Sequence, residues 1–271
     1  MFPQDHLYGP AWALGALLWV ICGSRRLVRR ARGGCSRPRV LALLCAAVLA
    51  ALAGARLHYI LLAPDLLRDG LLHALVLPLA DEGAGLRISG GLLAAAGVLL
   101  LLGPCAVDYR LDRAQLSDAL LPPSGLALAI GRLGCFADGC CFGVPCTRPW
   151  CMGFPAPSPA YWSHVAQGLL PRAARCSLPV HPLQLYLAAG GLAAFAVSAW
   201  VSARGARPGT AALAFVVALA GLRLLVEPLR EGSFGGAVAH ERTLDASCAL
   251  LALLLLLWRA QRRTTVGSGA W

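Results

Sequence analysis

Long apolar runs alternate along the chain with short, arginine-rich polar connections. Runs close to the ~20 residues that cross about 30 Å of hydrocarbon fall at approximately Leu7–Cys22, Val40–Ala63, Leu86–Val107, Leu116–Phe136, Leu183–Ala203, Thr210–Leu229 and Leu244–Trp258. They predict an all-α integral membrane protein, a bundle of seven transmembrane helices. Segment 64–85, which contains LLRDGLLHALVLPLA, reads as a partly helical connection along the membrane interface. Segment 137–182 is rich in Pro, Gly and Cys and reads as an irregular outer loop. Residues 1–271 are therefore read as a single polytopic membrane domain without an inverted repeat of transporter type.

Arginine placement sets the orientation. If 23–39, 108–115, 204–209 and 259–271 are inside, they hold Arg25, Arg26, Arg29, Arg30, Arg32, Arg37, Arg39, Arg110, Arg113, Arg204, Arg207, Arg259, Arg262 and Arg263. The outer connections hold far fewer, which predicts the N-terminus outside and the C-terminus in the cytoplasm. MFPQDH has no basic n-region, and the basic cluster SRRLVRRARGGCSRPR follows the first apolar run. That order reads as a retained span rather than a cleaved signal.

Composition agrees, with 58% hydrophobic and only 14% charged residues. All 24 basic residues are arginine and none is lysine, which excludes Schiff-base and phosphate-loop lysine chemistry. A fixed cation acting on a substrate must be a guanidinium, whose fork suits phosphate. The net charge of +11 is assigned to membrane insertion and not to nucleic acid.

Ionisable residues inside spans cost about 2.5–3.5 kcal/mol each on insertion scales, so they normally face a cavity or a partner. Here they share a depth. Arg132 lies near the outer end of the fourth run, Arg223 and Glu227 in the outer half of the sixth, and Arg230 at its mouth. Tyr8 opens the first run, Ser89 lies near the outer end of the third, and His181 opens the fifth. Arg223, Glu227 and Arg230 follow i, i+4, i+7 spacing, which would put them on one helix face. They form either a bundle-steadying ion pair or a positive surplus for a lipid phosphate. Gly131 and Gly134 beside Arg132 let either a head group or another helix approach. Arg132 itself reads otherwise as an interfacial snorkelling side chain.

LPPSGLALAIGRLGCFADGCCFG resembles the signature of the bacterial prolipoprotein diacylglyceryl transferase family, G-R-x-G-N-F-x-N-G-E-x-x-G. HLYG at 6–9, GARLHYILL at 54–62, SGGL at 89–92, HPLQLY at 181–186 and GLRLLVEPLRE at 221–231 resemble its other landmarks in the same order. The resemblance implies a multi-pass enzyme of the bacterial cytoplasmic (inner) membrane. It would move diacylglyceryl from phosphatidylglycerol onto the lipobox cysteine thiol of prolipoprotein signal peptides. Membrane lipid and precursor are the implied partners, with no cofactor and no metal. Carried over by position, Arg132 and Arg223 hold the phosphate, Glu227 orients them, Tyr8 hydrogen-bonds in the same cavity and Gly143 allows close packing. Ser89, Gly90, Gly91, Gly134, Cys135 and Arg230 join the substrate-binding set, and His181 the catalytic one.

The chain departs from that pattern at its polar positions. Ser89 replaces the histidine of H-G-G-L, Cys135 and Asp138 the two asparagines, Cys140 the glutamate, and Leu187 the glutamate of H-P-x-Q-L-Y-E. His181, Glu227 and Asp138 remain as base candidates, each with an alternative as a loop anchor or ion-pair member. Cys135, Cys140, Cys141, Cys146, Cys151 and Cys176 cluster in the outer segment. They are expected to hold the loop by disulfides, with Cys140 or Cys141 bridging to Cys135, Cys146, Cys151 or Cys176. No C-x-x-C pair favours a metal. Two other functions remain open: a phospholipid-binding paralogue with altered catalysis, and a membrane thiol–disulfide oxidoreductase.

Overall fold

The structure is a computed structural model that describes residues 7–31, 36–62, 88–106, 112–231, 243 and 246–258. Its helices are α1 (Tyr8–Arg30), α2 (Arg37–Leu62), α3 (Ile88–Ala106), α4 (Arg113–Leu120), α5 (Pro123–Asp138), α6 (Pro159–Ala166), α7 (Leu183–Ala203) and α8 (Thr210–Val226). A 3-10 turn, Glu227–Leu229, follows α8, and α9 spans Ala246–Trp258. Among the described residues β-pairing is confined to isolated bridges.

Among the described residues five stretches are helical, long and apolar enough to cross a membrane: Tyr8–Arg30, Arg37–Leu61, Arg113–Asp138, Leu183–Ala203 and Thr210–Leu229. Two shorter apolar helices, Gly90–Gly103 and Ala246–Trp258, fall at the third and seventh predicted runs. The first helix continues past the predicted Cys22 because SRRLVRR contains no helix breaker. The predicted interfacial segment 64–85 lies outside the described residues. Many large leucines are exposed, among them Leu49, Leu52, Leu93 and Leu225. That is how a helix apolar on every side meets lipid.

The fourth predicted run is divided. Pro122 and Pro123 lack backbone donors and their rings clash with the preceding turn, so α4 stops at Leu120 and α5 restarts with proline in its first turn. A carbonyl released by the break is recovered by the Trp19 indole, which donates to Leu120 O at 2.9 Å.

The chain forms two compact units, 20–116 and 1–19 with 117–271. In the first, α2 packs on α3 where Gly54, Gly90 and Gly91 let the backbones meet; a Cβ on Gly91 would lie 2.8 Å from Ala51 O. In the second, the start of α1 packs on α5, where a Cβ on Gly15 would lie 2.7 Å from Ala127 O. Helix α5 packs on α7 and α7 on α8.

Asp118, 3% exposed, holds the start of α8. Its carboxylate accepts from Gly209 N and Ala212 N, both at 2.8 Å, supplying acceptors for the orphan amides and negative charge at the positive helix end. The expected result for Asp118→Ala is a loss of about 1–3 kcal/mol of stability, the cost of stranding buried donors. Thermal unfolding in detergent measures it, with lipid binding retained.

Segment 137–182 is more ordered than its composition predicts. Phe142, Phe154, Ala160 and Val180 form a small apolar core, joined by Phe136. Bridges pair Pro145 and Met152 with Val180, and Pro155 with Cys176. Buried His164 accepts Leu178 N at 3.2 Å through Nδ1. The disulfide joins Cys146 to Cys151, while Cys135, Cys140, Cys141 and Cys176 are free thiols. The expected bridge from Cys140 or Cys141 is thus not formed: Cys146 and Cys151, with four residues between them, already meet at a Cα separation of 6.1 Å.

Candidate active site

The site is assembled at one end of the 1–19 and 117–271 unit. Helix α5 presents Arg132 one and a half turns before its C-terminus. Arg132 is only 5% exposed, and its Nε is buried without a hydrogen-bond partner in the protein. Trp12 of α1 stacks over Gly131, where a Cβ would lie 2.6 Å from the indole, and its Nε1 is likewise a buried donor without a partner. Of the two visitors that Gly131 and Gly134 could admit, the neighbouring helix α1 is the one present. Two buried donors without partners, one on each helix of this contact, call for an acceptor-rich ligand.

Tyr8, at the start of α1, packs its ring 6.3 Å from Trp12. Asp138 fixes that end: its Oδ1 accepts Leu7 N at 3.2 Å and its Oδ2 accepts Tyr8 N at 3.1 Å. Both oxygens are engaged with the opening amides of α1, so Asp138 fixes the backbone at Tyr8.

Glu227 and Arg230 come from the end of α8. Pro228 converts the last turn to 3-10 geometry, so the three charged residues do not continue one α-helical face as their spacing predicted. Glu227 is buried, and its carboxylate pairs with Arg230 Nη1 at 3.5 Å. Arg223 is half-buried one turn earlier. Segment 137–182 clamps this end, since Val144 N donates to Leu229 O at 2.8 Å and Gly143 bridges Arg230. Gly143 N also donates to His181 O at 3.0 Å. A Cβ on Gly143 would lie 2.8 Å from His181 Cβ, which explains glycine there. His181 Nδ1 lies 3.2 Å from the Tyr186 hydroxyl.

The thiols complete the site. Helix α5 ends in a Schellman turn: Gly139 is left-handed at φ 68°, its N–H donates to Phe136 O, and Cys140 N donates to Cys135 O at 3.1 Å. This turn brings the side chains three before and two beyond the cap together, here Cys135 and Cys140. Cys141 has φ 55°, uncommon for a residue with a Cβ, and its sulfur joins theirs. All three sulfurs lie within 4.8 Å of one another. Hydrogen bonds from Cys135 and Cys140 hold the Cys141 thiol well below its ordinary range, and Arg132 and Arg230 push the same way. The bond to Cys135 holds Cys140 well above it.

The prolipoprotein diacylglyceryl transferase family model matches residues 4–260, which include every residue of this constellation. The chain belongs to that family. It is 30% identical over 265 residues to a phosphatidylglycerol–prolipoprotein diacylglyceryl transferase of Bordetella avium, covering 95% of this chain and 91% of that protein. A protein of the same name from Bordetella bronchiseptica is 31% identical, covering 83% and 78%. One from Cupriavidus pinatubonensis is 28% identical, covering 96% and 89%.

Within this family frame, Tyr8, Arg132, Gly134, Cys135, Gly143, His181, Arg223, Glu227 and Arg230 all belong to one unit. Gly90 and Gly91 are buried in the α2–α3 contact of the other; Ser89 lies on α3, and its side chain is outside the description. Sequence reasoning missed Gln184. It is fully buried, and its Nε2 donates to Cys140 O at 2.6 Å, pinning the thiol turn. Its signal was a lone amide in an otherwise apolar run.

Proposed function

We propose that the chain transfers the diacylglyceryl group of phosphatidylglycerol to the lipobox cysteine thiol of prolipoproteins in the bacterial cytoplasmic membrane. Family membership and the relatives' names support the activity. The observation that carries it to particular residues is the buried, under-bonded Arg132, whose charge acts with that of Arg230 on Cys141.

The reaction breaks the bond between a glyceryl carbon and a phosphate oxygen and forms a carbon–sulfur bond, releasing glycerol phosphate. Negative charge grows on the departing phosphate oxygen. Guanidinium groups fixed beforehand stabilise it most where water is excluded. Arg132 and Arg223 hold the phosphate in this reading, with Arg230 beside them. Glu227 orients the guanidinium groups, and Tyr8, positioned by Asp138, adds a hydroxyl. Gly143 keeps the outer segment tight over the site.

Seven spans, with the N-terminus outside and the C-terminus in the cytoplasm, fit this placement. That topology puts the site at the outer leaflet, where secreted precursors arrive. Reporters fused after residue 33 and at the C-terminus are expected to register as cytoplasmic, and one within 155–175 as external. An external C-terminus would contradict the seven-span reading.

Thiols at the family's asparagine and glutamate positions favour a second reading, a phospholipid-binding member without transferase activity. Complementation separates the two. Expression in a strain depleted of its own transferase is expected to restore growth and lipid-modified lipoproteins, and failure despite correct membrane insertion favours the binding protein.

A further inference from the structure

Transfer to a thiol requires a thiolate, and two carboxylates of the site are already engaged, Asp138 with the α1 amides and Glu227 with Arg230. Three thiols converge beside them at the end of α5. We propose that Cys135, Cys140 and Cys141 form a three-thiolate site for a zinc-type divalent ion, whose fourth position takes the sulfur of the incoming lipobox cysteine. This rests on the transferase reading and supplies a means of thiol activation that needs no protein base.

The geometry is set by backbone rather than by flexible side chains. The Schellman turn after α5 fixes Cys135 against Cys140, Gln184 pins the Cys140 carbonyl, and left-handed backbone turns Cys141 toward both. A non-glycine residue held at positive φ stores strain that the surrounding structure must support. Sulfurs bound tetrahedrally at zinc distances sit about 3.8 Å apart, and these three lie within 4.8 Å, a small contraction away. Soft thiolates select zinc-type ions over magnesium or calcium.

The site is also one-sided. Cys135 is 1% exposed, Cys140 is half-buried and Cys141 is exposed. The closed side faces α5 and the open side leaves room for a fourth ligand. Three protein ligands with one open position are the pattern of a catalytic zinc, whereas structural zinc takes four.

Coordination removes the thiol proton outright. The peptide sulfur displaces a water from the open position, and its proton passes to solvent. A sulfur lone pair then forms the bond to the glyceryl carbon as the carbon–oxygen bond breaks. The bonding pair leaves on the phosphate oxygen of glycerol phosphate, held by the arginines. The neutral thioether is a weak ligand and gives way to water. No oxidant or reductant is consumed.

Cobalt(II) serves as the probe, added without oxygen to the full-length protein in detergent. The expected result is about one equivalent bound, with a thiolate-to-cobalt charge-transfer band. The band is expected to disappear in Cys135→Ser/Cys140→Ser/Cys141→Ser and persist in Cys176→Ser. A lipobox peptide should shift the visible cobalt bands, whereas its serine analogue should not. Thermal unfolding and elution as a single species in detergent check the fold of the triple variant. If that variant does not fold, Cys141→Ser alone, at an exposed position, is expected to weaken metal binding at least about tenfold. Failure to bind cobalt, a band that survives the triple substitution, or bands indifferent to the peptide thiol would overturn the proposal. Undiminished transfer by metal-free protein would overturn it and leave the transferase reading intact. A thiol-responsive metal site without transfer would support the site and remove the transferase reading.

Discussion

Replacing Arg132 by alanine is expected to lower diacylglyceryl transfer by about 10²–10³-fold, the range for deleting one preorganised donor to a developing oxyanion. The side chain is 5% exposed and its Nε has no partner in the protein. A buried donor without a partner has a desolvation cost, and the bound phosphate would offset it. Ground-state lipid affinity should fall roughly tenfold or more, since a charged hydrogen bond contributes about 1.5–3 kcal/mol. Arg132→Lys keeps the charge and loses the fork, so it should recover only part of the rate. Steady-state transfer to a lipobox peptide, beside lipid binding and thermal unfolding, separates these effects. Equal loss of rate and of folded protein would make Arg132 structural.

The second large effect is expected at Gly143. A valine side chain has no space there: the first carbon alone would meet Leu229 O at 2.5 Å and His181 O at 3.0 Å, both backbone atoms. Those segments are tied to one another by the bonds of Gly143 N to His181 O and Val144 N to Leu229 O, so neither can retreat alone. Gly143→Val should therefore lever Leu229 and Arg230 away from the thiol turn. Overpacking of this kind costs about 1–3 kcal/mol, and a displacement near 1 Å at a catalytic group costs about 10²-fold in rate. The rate should fall further than stability accounts for, which kinetics at a temperature well below the unfolding transition would reveal. Wild-type kinetics in Gly143→Val would show that the clamp does not position the site.

What the sequence made legible follows from the length scale of each interaction. The predicted runs at Leu183–Ala203 and Thr210–Leu229 agree with the structure to the residue, because uninterrupted apolar runs bounded by Pro, Gly and Arg leave little choice. Arg132, Glu227 and Tyr8 were legible because a polar group in an apolar run needs a reason. The division at Pro122–Pro123 was written in the sequence too, yet hydropathy averages across it. Contacts between distant segments were hidden. Asp118 is an ordinary acid in SDALL until Gly209 folds onto it, and Phe142, Phe154 and Val180 are scattered through a Pro- and Gly-rich stretch that resembles loop. The thiol trio was hidden for another reason. Its C-x4-C-C spacing matches no familiar metal pattern, and only the left-handed backbone at Gly139 and Cys141 makes neighbours of the three sulfurs.

The most direct test of the central claim is product mass. Purified protein is incubated with phosphatidylglycerol and a synthetic lipobox peptide, and the peptide is weighed by mass spectrometry. The account predicts a peptide heavier by one diacylglyceryl group in thioether linkage on the lipobox cysteine, with an equal amount of glycerol phosphate released and no product from the serine analogue. Phosphatidylglycerol that binds to well-folded protein while the cysteine peptide stays unmodified would contradict it.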